Sequence, residues 1–183
     1  MGDLQYEEPK ASKAPLLSLA SRIVTAASLA ASIIILKSAK VTFKIGGDKY
    51  QYSYNDSSTY QYVLLSMLVA FAYNLLQIPS AIYHLKTGKR LTNRYGFMLF
   101  DLYGDKLGVL LLATSTGAAF GATLEIKRSA DNLETIGGQD ASDYRSKLGD
   151  FSSMAYLSAG LLLIAFISST LSSIISSLAL SRK

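Results

Sequence analysis

The chain has 183 residues, a net charge of +5 and no cysteine, and half of its residues are hydrophobic while only 17% are charged. The absence of cysteine excludes disulfides, palmitoylation and thiolate-bound zinc, and the low charge is unusual for a soluble domain. The small positive excess fits contacts with anionic lipid and does not indicate a nucleic-acid surface. The composition therefore indicates a membrane-embedded protein without a separate soluble domain.

The first 15 residues form a polar tail with no apolar segment, so they do not resemble a cleavable secretion signal. The apolar segment that follows is longer than the core of a signal peptide, and no small-residue cleavage site stands out after it. We predict that residues 1–15 are a disordered cytoplasmic tail.

Four long apolar segments follow the tail, and we predict that each spans the membrane: residues 16–36, 62–85, 98–124 and 152–181. About 20 residues at a rise of 1.5 Å cross a hydrocarbon core of roughly 30 Å. The sequence thus predicts an all-α membrane protein, a bundle of four transmembrane helices. Its connections are outer loops at 37–61 and 125–151 and a cytoplasmic loop at 86–97.

The orientation of the bundle follows from weak signals. Four spans place both termini on one side, but the Lys and Arg counts of the two sides tie, so the positive-inside rule does not orient the chain. The basic cluster Lys86-Thr-Gly-Lys-Arg90 directly follows the second span. Asn55-Asp-Ser57, in the first outer loop, is a glycosylation sequon that is used only on the lumenal side. Both features favour cytoplasmic termini.

The first outer loop has the pattern of a β-hairpin. Two alternating runs, Val41–Ile45 and Lys49–Tyr54, flank the turn sequence Gly46-Gly-Asp48. The second strand would place three tyrosines on one face: Tyr50, Tyr52 and Tyr54. These rings could form an aromatic belt at the membrane interface, or a face that binds a partner on the outer side.

The second outer loop, residues 127–150, is rich in Asp, Gly and Ser and shows no periodicity. We predict a flexible connection with at most one helical turn.

Polar and small residues within the spans indicate how the helices meet. Asn74 and Gln77 share one face of the second span and are predicted to bond a neighbouring helix, while Pro79 predicts a kink. Gly117 and Gly121 form a small-xxx-small pair in the third span, for which packing inside the molecule is favoured over a dimer seam. The serines that end the fourth span can bond their own helix carbonyls, and a serine-lined pore is the alternative.

Two opposite charges lie inside the spans at a similar depth. Arg22 is near the cytoplasmic end of the first span, and Asp105 is at a similar distance into the parallel third span. An isolated charge in lipid is costly, so we predict an ion pair between them, with Asp101 as the fallback partner. In the alternative, Arg22 extends to the headgroups and Asp105 caps a shorter helix.

No feature of the sequence indicates catalysis. The single histidine, His84, has no second histidine and no cysteine with which to form a zinc site or a catalytic triad. Gly46-Gly47 lacks the Lys-Ser/Thr of a phosphate-binding loop. We expect no metal, no cofactor and no enzymatic activity.

The chain resembles the plant Casparian strip membrane domain protein-like family, which is related to the MARVEL tetraspans. The resemblance covers residues 15–181 and rests on Arg22, on Lys40-Val-Thr-Phe-Lys44, and on Phe100-Asp-Leu-Tyr-Gly-Asp105-Lys106 before Leu110-Leu-Leu-Ala-Thr114. The hallmark arginine and aspartate of that family map onto Arg22 and Asp105. The second outer loop lacks cysteines and the loop motifs of the founding endodermal members, so the resemblance is to the "like" proteins.

The resemblance implies a non-catalytic plasma-membrane scaffold. Such proteins assemble laterally, as homo-oligomers or with related tetraspans, into membrane platforms that organise secreted or wall-modifying proteins on the outer side. The competing hypothesis is an oligomeric channel or transporter in which Arg22 and Asp105 form a gate or a proton relay.

Overall fold

A computed structural model describes residues 14–45, 48–87, 95–133 and 139–181 of the chain. In chain order the elements are α1 (Ala14–Ser38), β1 (Lys40–Ile45), β2 (Asp48–Ser53), a 3-10 turn (Tyr54–Asp56), α2 (Ser58–Thr87), α3 (Tyr95–Leu133) and α4 (Gln139–Ser181). Each helix contains a segment that is long and apolar enough to cross a membrane. The predicted four-helix membrane fold with a short hairpin is confirmed.

Helices α3 and α4 are much longer than predicted. They contain 39 and 43 residues, which at 1.5 Å per residue gives lengths of about 58 and 64 Å, roughly twice a hydrocarbon core. Both helices must therefore continue beyond the bilayer. Helix α2 is continuous through Pro79, which is exposed.

The prediction of a flexible connection at 127–150 is wrong wherever the structure describes it, because α3 runs to Leu133 and α4 starts at Gln139. The cause is an apolar face that persists in both helices beyond the spans predicted from the sequence. Ala130 and Leu148 are buried, and Ile126 packs against the core. An exposed ion pair of 3.4 Å between Arg145 and Asp131 also joins the two helices. The apolar residues that make these contacts are few and are separated by Asp, Gly and Ser, so the sequence shows no helical periodicity here.

Small residues let α1 and α4 pack closely as antiparallel neighbours. The Ser32 hydroxyl lies 2.8 Å from the Ser158 carbonyl oxygen, and the Ser158 hydroxyl lies 3.0 Å from the Ser32 carbonyl oxygen. Nearer the termini, the hydroxyls of Ser18 and Ser172 are 3.5 Å apart. Helices in lipid gain little from burying apolar surface, so close backbone approach and bonds of this kind carry much of the association.

The packed face of each helix repeats every seven residues. In α1 the small residues are Ser18, Thr25 and Ser32, and in α4 they are Ser158, Ala165 and Ser172. Thr25 and Ala165, at the middle of the two series, are both fully or almost fully buried. A seven-residue period is typical of left-handed helix pairs, so the sequence of α1 and α4 carries the register of their contact.

The hairpin packs on the end of the bundle that lies opposite the chain termini. Val41 of β1 lies opposite Tyr52 of β2 in the antiparallel pair, and Val41 is buried. The Tyr52 ring meets the Phe151 ring edge-on, with 5.2 Å between the ring centroids, and Tyr60 meets Phe151 in the same way at 5.7 Å. An isolated two-stranded hairpin is only marginally stable, so this aromatic contact fixes its position.

We predict that Phe151→Ala loosens the hairpin and destabilises the protein by about 3 kcal/mol, because a fully buried aromatic ring is lost. Leu157→Ala on the same helix is the matched control, since Leu157 is 59% exposed. The measurement is thermal unfolding in detergent together with the rate of proteolysis within residues 40–56. Equal behaviour of the two variants would contradict the docking of the hairpin on α4.

Candidate functional site

The structure brings Arg22 and Asp105 together inside the bundle. Nη2 of Arg22 lies 3.1 Å from Oδ2 and 3.4 Å from Oδ1 of Asp105. The two residues are only 7% and 6% exposed. The arginine therefore does not extend to the headgroups. Asp105 does not cap a helix either, since α3 starts well before it at Tyr95. The Asp101 side chain lies outside the described residues.

Helix α2 completes the surroundings of the ion pair. The Tyr73 hydroxyl donates to Oδ1 of Asp105 at 3.1 Å, and Nδ2 of Asn74 donates to the carbonyl oxygen of Arg22 at 2.8 Å. Asn74 thus bonds a neighbouring helix. Gln77 differs from expectation because its Nε2 donates to the Tyr73 hydroxyl one turn earlier in the same helix. Its Oε1 is buried, and no group in the described part of the chain donates to it.

Gly104 makes room for the Tyr73 ring. A Cβ at Gly104 would lie 2.7 Å from Cε2 and Cζ of Tyr73, closer than real Cβ contacts come. The same atom at Gly108, one turn later, would lie 3.8 Å from Cδ1 of Tyr73, which is an ordinary contact. Gly104 therefore lets the tyrosine lie against α3 and reach Asp105. Neither Tyr73 nor Gly104 was predicted to belong to the site, although Gly104 and Gly108 are themselves a small-xxx-small pair.

The arrangement is suited to holding helices together. Each charge is neutralised by the other, and hydrogen bonds from α2 satisfy the Asp105 carboxylate and the Arg22 backbone. A single buried charge without its partner costs several kcal/mol, so the pair couples the positions of α1 and α3. Among the described residues, no group of three His, Cys, Asp or Glu side chains could hold a metal.

The pair Gly117 and Gly121 of α3 does not lie inside the molecule, where it was expected. Gly117 and Gly121 are exposed, and a Cβ on either would meet nothing within 4 Å. The expected packing of these glycines inside the molecule is absent from the structure. The reason is that α3 turns its other face, with Ser115 and Ala119, towards the core. Gly117 and Gly121 therefore lie on the surface that faces the membrane.

The structure also shows how exposed the hairpin tyrosines and Asn55 are, the residues that were predicted to act on the outer side. Tyr52 and Tyr54 are half-buried and pack against the protein's own core, so they form neither a fully free partner face nor a belt exposed to lipid. The Tyr50 side chain lies outside the described residues. Asn55 is exposed in the 3-10 turn, and its carbonyl oxygen accepts a hydrogen bond of 2.6 Å from Nε2 of Gln61. The sequon is thus on an accessible surface.

Comparison with known proteins shows the family to which this chain belongs. Residues 11–168 match the Casparian strip membrane protein domain. The chain belongs to that family. It is 34% identical to a CASP-like protein 4D1 of Populus trichocarpa over 163 residues, or 88% of this chain and 85% of the relative. A CASP-like protein 4D2 of Arabidopsis thaliana is 33% identical over 167 residues, 91% of each chain. No solved structure matches.

The Casparian strip family domain includes most of the cluster but not all of it. The matched residues cover the ion pair on α1 and α3 and the polar residues of α2. Two serines of α4 beside the pair, Ser169 and Ser172, follow the last matched residue.

We predict that Gly104→Ala destabilises the protein by about 1–3 kcal/mol, because the added methyl group displaces Tyr73 from Asp105. Gly108→Ala is the matched control and is expected to be neutral or slightly stabilising, since alanine favours a helix more than glycine does. The measurement is unfolding by denaturing detergent from a mild micelle. A Gly104→Ala protein as stable as Gly108→Ala would contradict the role of the close contact.

Proposed function

We propose that this protein is a non-catalytic scaffold of the plasma membrane, which assembles laterally into a platform and organises cell-wall-modifying proteins on its outer side. The observation that carries the proposal is the buried ion pair between Arg22 and Asp105 in a member of the Casparian strip membrane protein domain family. The ion pair joins α1 to α3, and hydrogen bonds from α2 hold it in place, so the three helices form a rigid unit. Neither charge is left open to bind a passing ion.

The part of the molecule beyond the bilayer supports a role in binding secreted partners. Helices α3 and α4 extend past the hydrocarbon region, and the hairpin is fixed to α4 through Phe151. Exposed side chains on this rigid extension, such as Lys127, Arg128 and Gln51, are available to a secreted partner. Asn55 is exposed in the same region and is our proposed glycan acceptor.

The membrane-facing surface supports lateral assembly. Large apolar side chains such as Leu107, Leu110 and Leu124 project from α3 towards lipid. Between them, Gly117 and Gly121 leave a shallow strip on which another helix could approach closely. We propose that a second copy of this chain, or a related tetraspan, packs there.

We expect the protein extracted with its native lipid to have a mass several times the 19.8 kDa of one chain. Gly117→Leu should shift the population towards monomer, because the added side chain blocks close approach. Ala72→Leu is the matched control, since Ala72 is exposed on α2. Mass photometry or native mass spectrometry reports the result, and a monomeric wild-type particle would contradict lateral assembly.

A channel or transporter would behave differently from a scaffold. We expect purified protein in liposomes to conduct no ions, because each charge of the pair is neutralised by the other. Ion flux that disappears in Asp105→Asn would overturn the scaffold proposal in favour of a relay.

The proposed orientation has a direct test because the chain has no native cysteine. Gln51→Cys in the exposed part of β2 should react with a membrane-impermeant maleimide on intact cells. Thr92→Cys in the predicted cytoplasmic loop should react only after permeabilisation. The reverse pattern would place the termini outside.

A further inference from the structure

A small polar cavity lies beside the ion pair where all four helices meet. Its volume is about 20 Å³, and its polar lining comes from Arg22, Thr25, Asn74, Asp105, Ser169 and Ser172. A cavity of roughly 10–15 Å³ or more suffices for one water molecule, provided that two to four polar groups line it. The size fits a single water, and the lining offers more than enough partners.

The charge on Arg22 is paired, but its hydrogen-bonding capacity is not filled. A guanidinium carries five N–H donors, and within the described ranges Arg22 donates only from Nη2, to the two oxygens of Asp105. Arg22 lines the cavity, so an acceptor held there would lie beside its remaining donors. A hydrogen bond from a charged donor is stronger than one between neutral groups, which favours an acceptor inside the cavity.

The α4 side of the cavity offers hydroxyl groups that could complete a bridge. Ser172 is 4% exposed, and its one hydrogen-bond partner among the described residues, the Ser18 hydroxyl, is 3.5 Å away, at the limit of a hydrogen bond. The Thr25 hydroxyl already donates to the Ser21 carbonyl at 2.8 Å, so its oxygen remains available as an acceptor. Across the described residues, Arg22 makes no direct hydrogen bond to α4.

We propose that this cavity binds one ordered water molecule, which accepts a hydrogen bond from Arg22 and bridges it to Ser172 of α4. A bound cation is disfavoured by the Arg22 charge and a bound anion by Asp105, whereas a water can both accept and donate. The bridge connects α4 to the α1–α2–α3 cluster. It holds whether or not the protein assembles into platforms.

The test is solid-state NMR of the wild-type protein in bilayers with 15N-labelled arginine, the Arg22 side-chain signals being assigned by their loss in Arg22→Lys. We expect a cross-peak between an Arg22 N–H and a water that exchanges slowly with bulk. The absence of any water cross-peak would overturn the proposal without need of a variant. A water that exchanges with bulk water too fast to count as bound would overturn the proposal too, because it would show that the cavity is open to solvent.

Two substitutions locate the water. Ser172→Val fills the cavity and should abolish the cross-peak, while Ser173→Val is the matched control and should keep it, because Ser173 is buried but does not line the cavity. Ser172→Ala is the milder variant if Ser172→Val fails to fold, and it should make the water exchange several-fold faster. An unchanged cross-peak in the folded Ser172 variant would place the water elsewhere and contradict the bridge.

Discussion

A guanidinium and a carboxylate are each costly in a bilayer, and the half of this fold nearer the chain termini depends on their meeting. Arg22 on α1 and Asp105 on α3 pair at 3.1 Å in an environment that is more than nine-tenths buried. Neither group can move away without stranding the other, so the pair fixes the relative depth of two parallel helices. The Tyr73 hydroxyl and the Asn74 amide then add α2 to the same level.

The rest of the bundle is joined by polar and aromatic contacts at successive levels. In the middle, Ser32 and Ser158 bond each other's backbone across α1 and α4. Towards the hairpin, the hydroxyls of Tyr60 and Thr123 are 2.9 Å apart and link α2 with α3. Because lipid tails are as apolar as leucine, these contacts supply the specificity that apolar burial supplies in water. The aromatic contact of Phe151 extends the same bundle to the hairpin.

The features that the sequence revealed are those set by simple distances along a helix. The four spans follow from the length of apolar segments, and the hairpin follows from alternation around a glycine turn. The meeting of Arg22 and Asp105 follows from equal depth on parallel helices, since the rise per residue is constant. The contact of Asn74 with a neighbouring helix was also predicted, because an amide inside a span needs a hydrogen-bond partner.

The features that the sequence did not reveal depend on the rotation of each helix about its axis. Two glycine pairs occur in α3, and spacing alone does not show that Gly104 meets Tyr73 while Gly117 and Gly121 face the membrane. The sequence did not reveal the last turns of α3 and the first turns of α4, because only scattered residues such as Ala130 and Leu148 are buried there. Tyr52 turned inwards because Phe151, far along the chain, provides its contact.

A double-mutant cycle on the ion pair tests the central claim most directly. The free energy of unfolding would be measured in bilayer discs for the wild type, Arg22→Ala, Asp105→Ala and the double variant. We predict that each single change costs about 3–5 kcal/mol and that the double variant is no less stable than the worse single, because removing both charges leaves none unpaired. Strictly additive losses would contradict the claim that this pair holds the helices together.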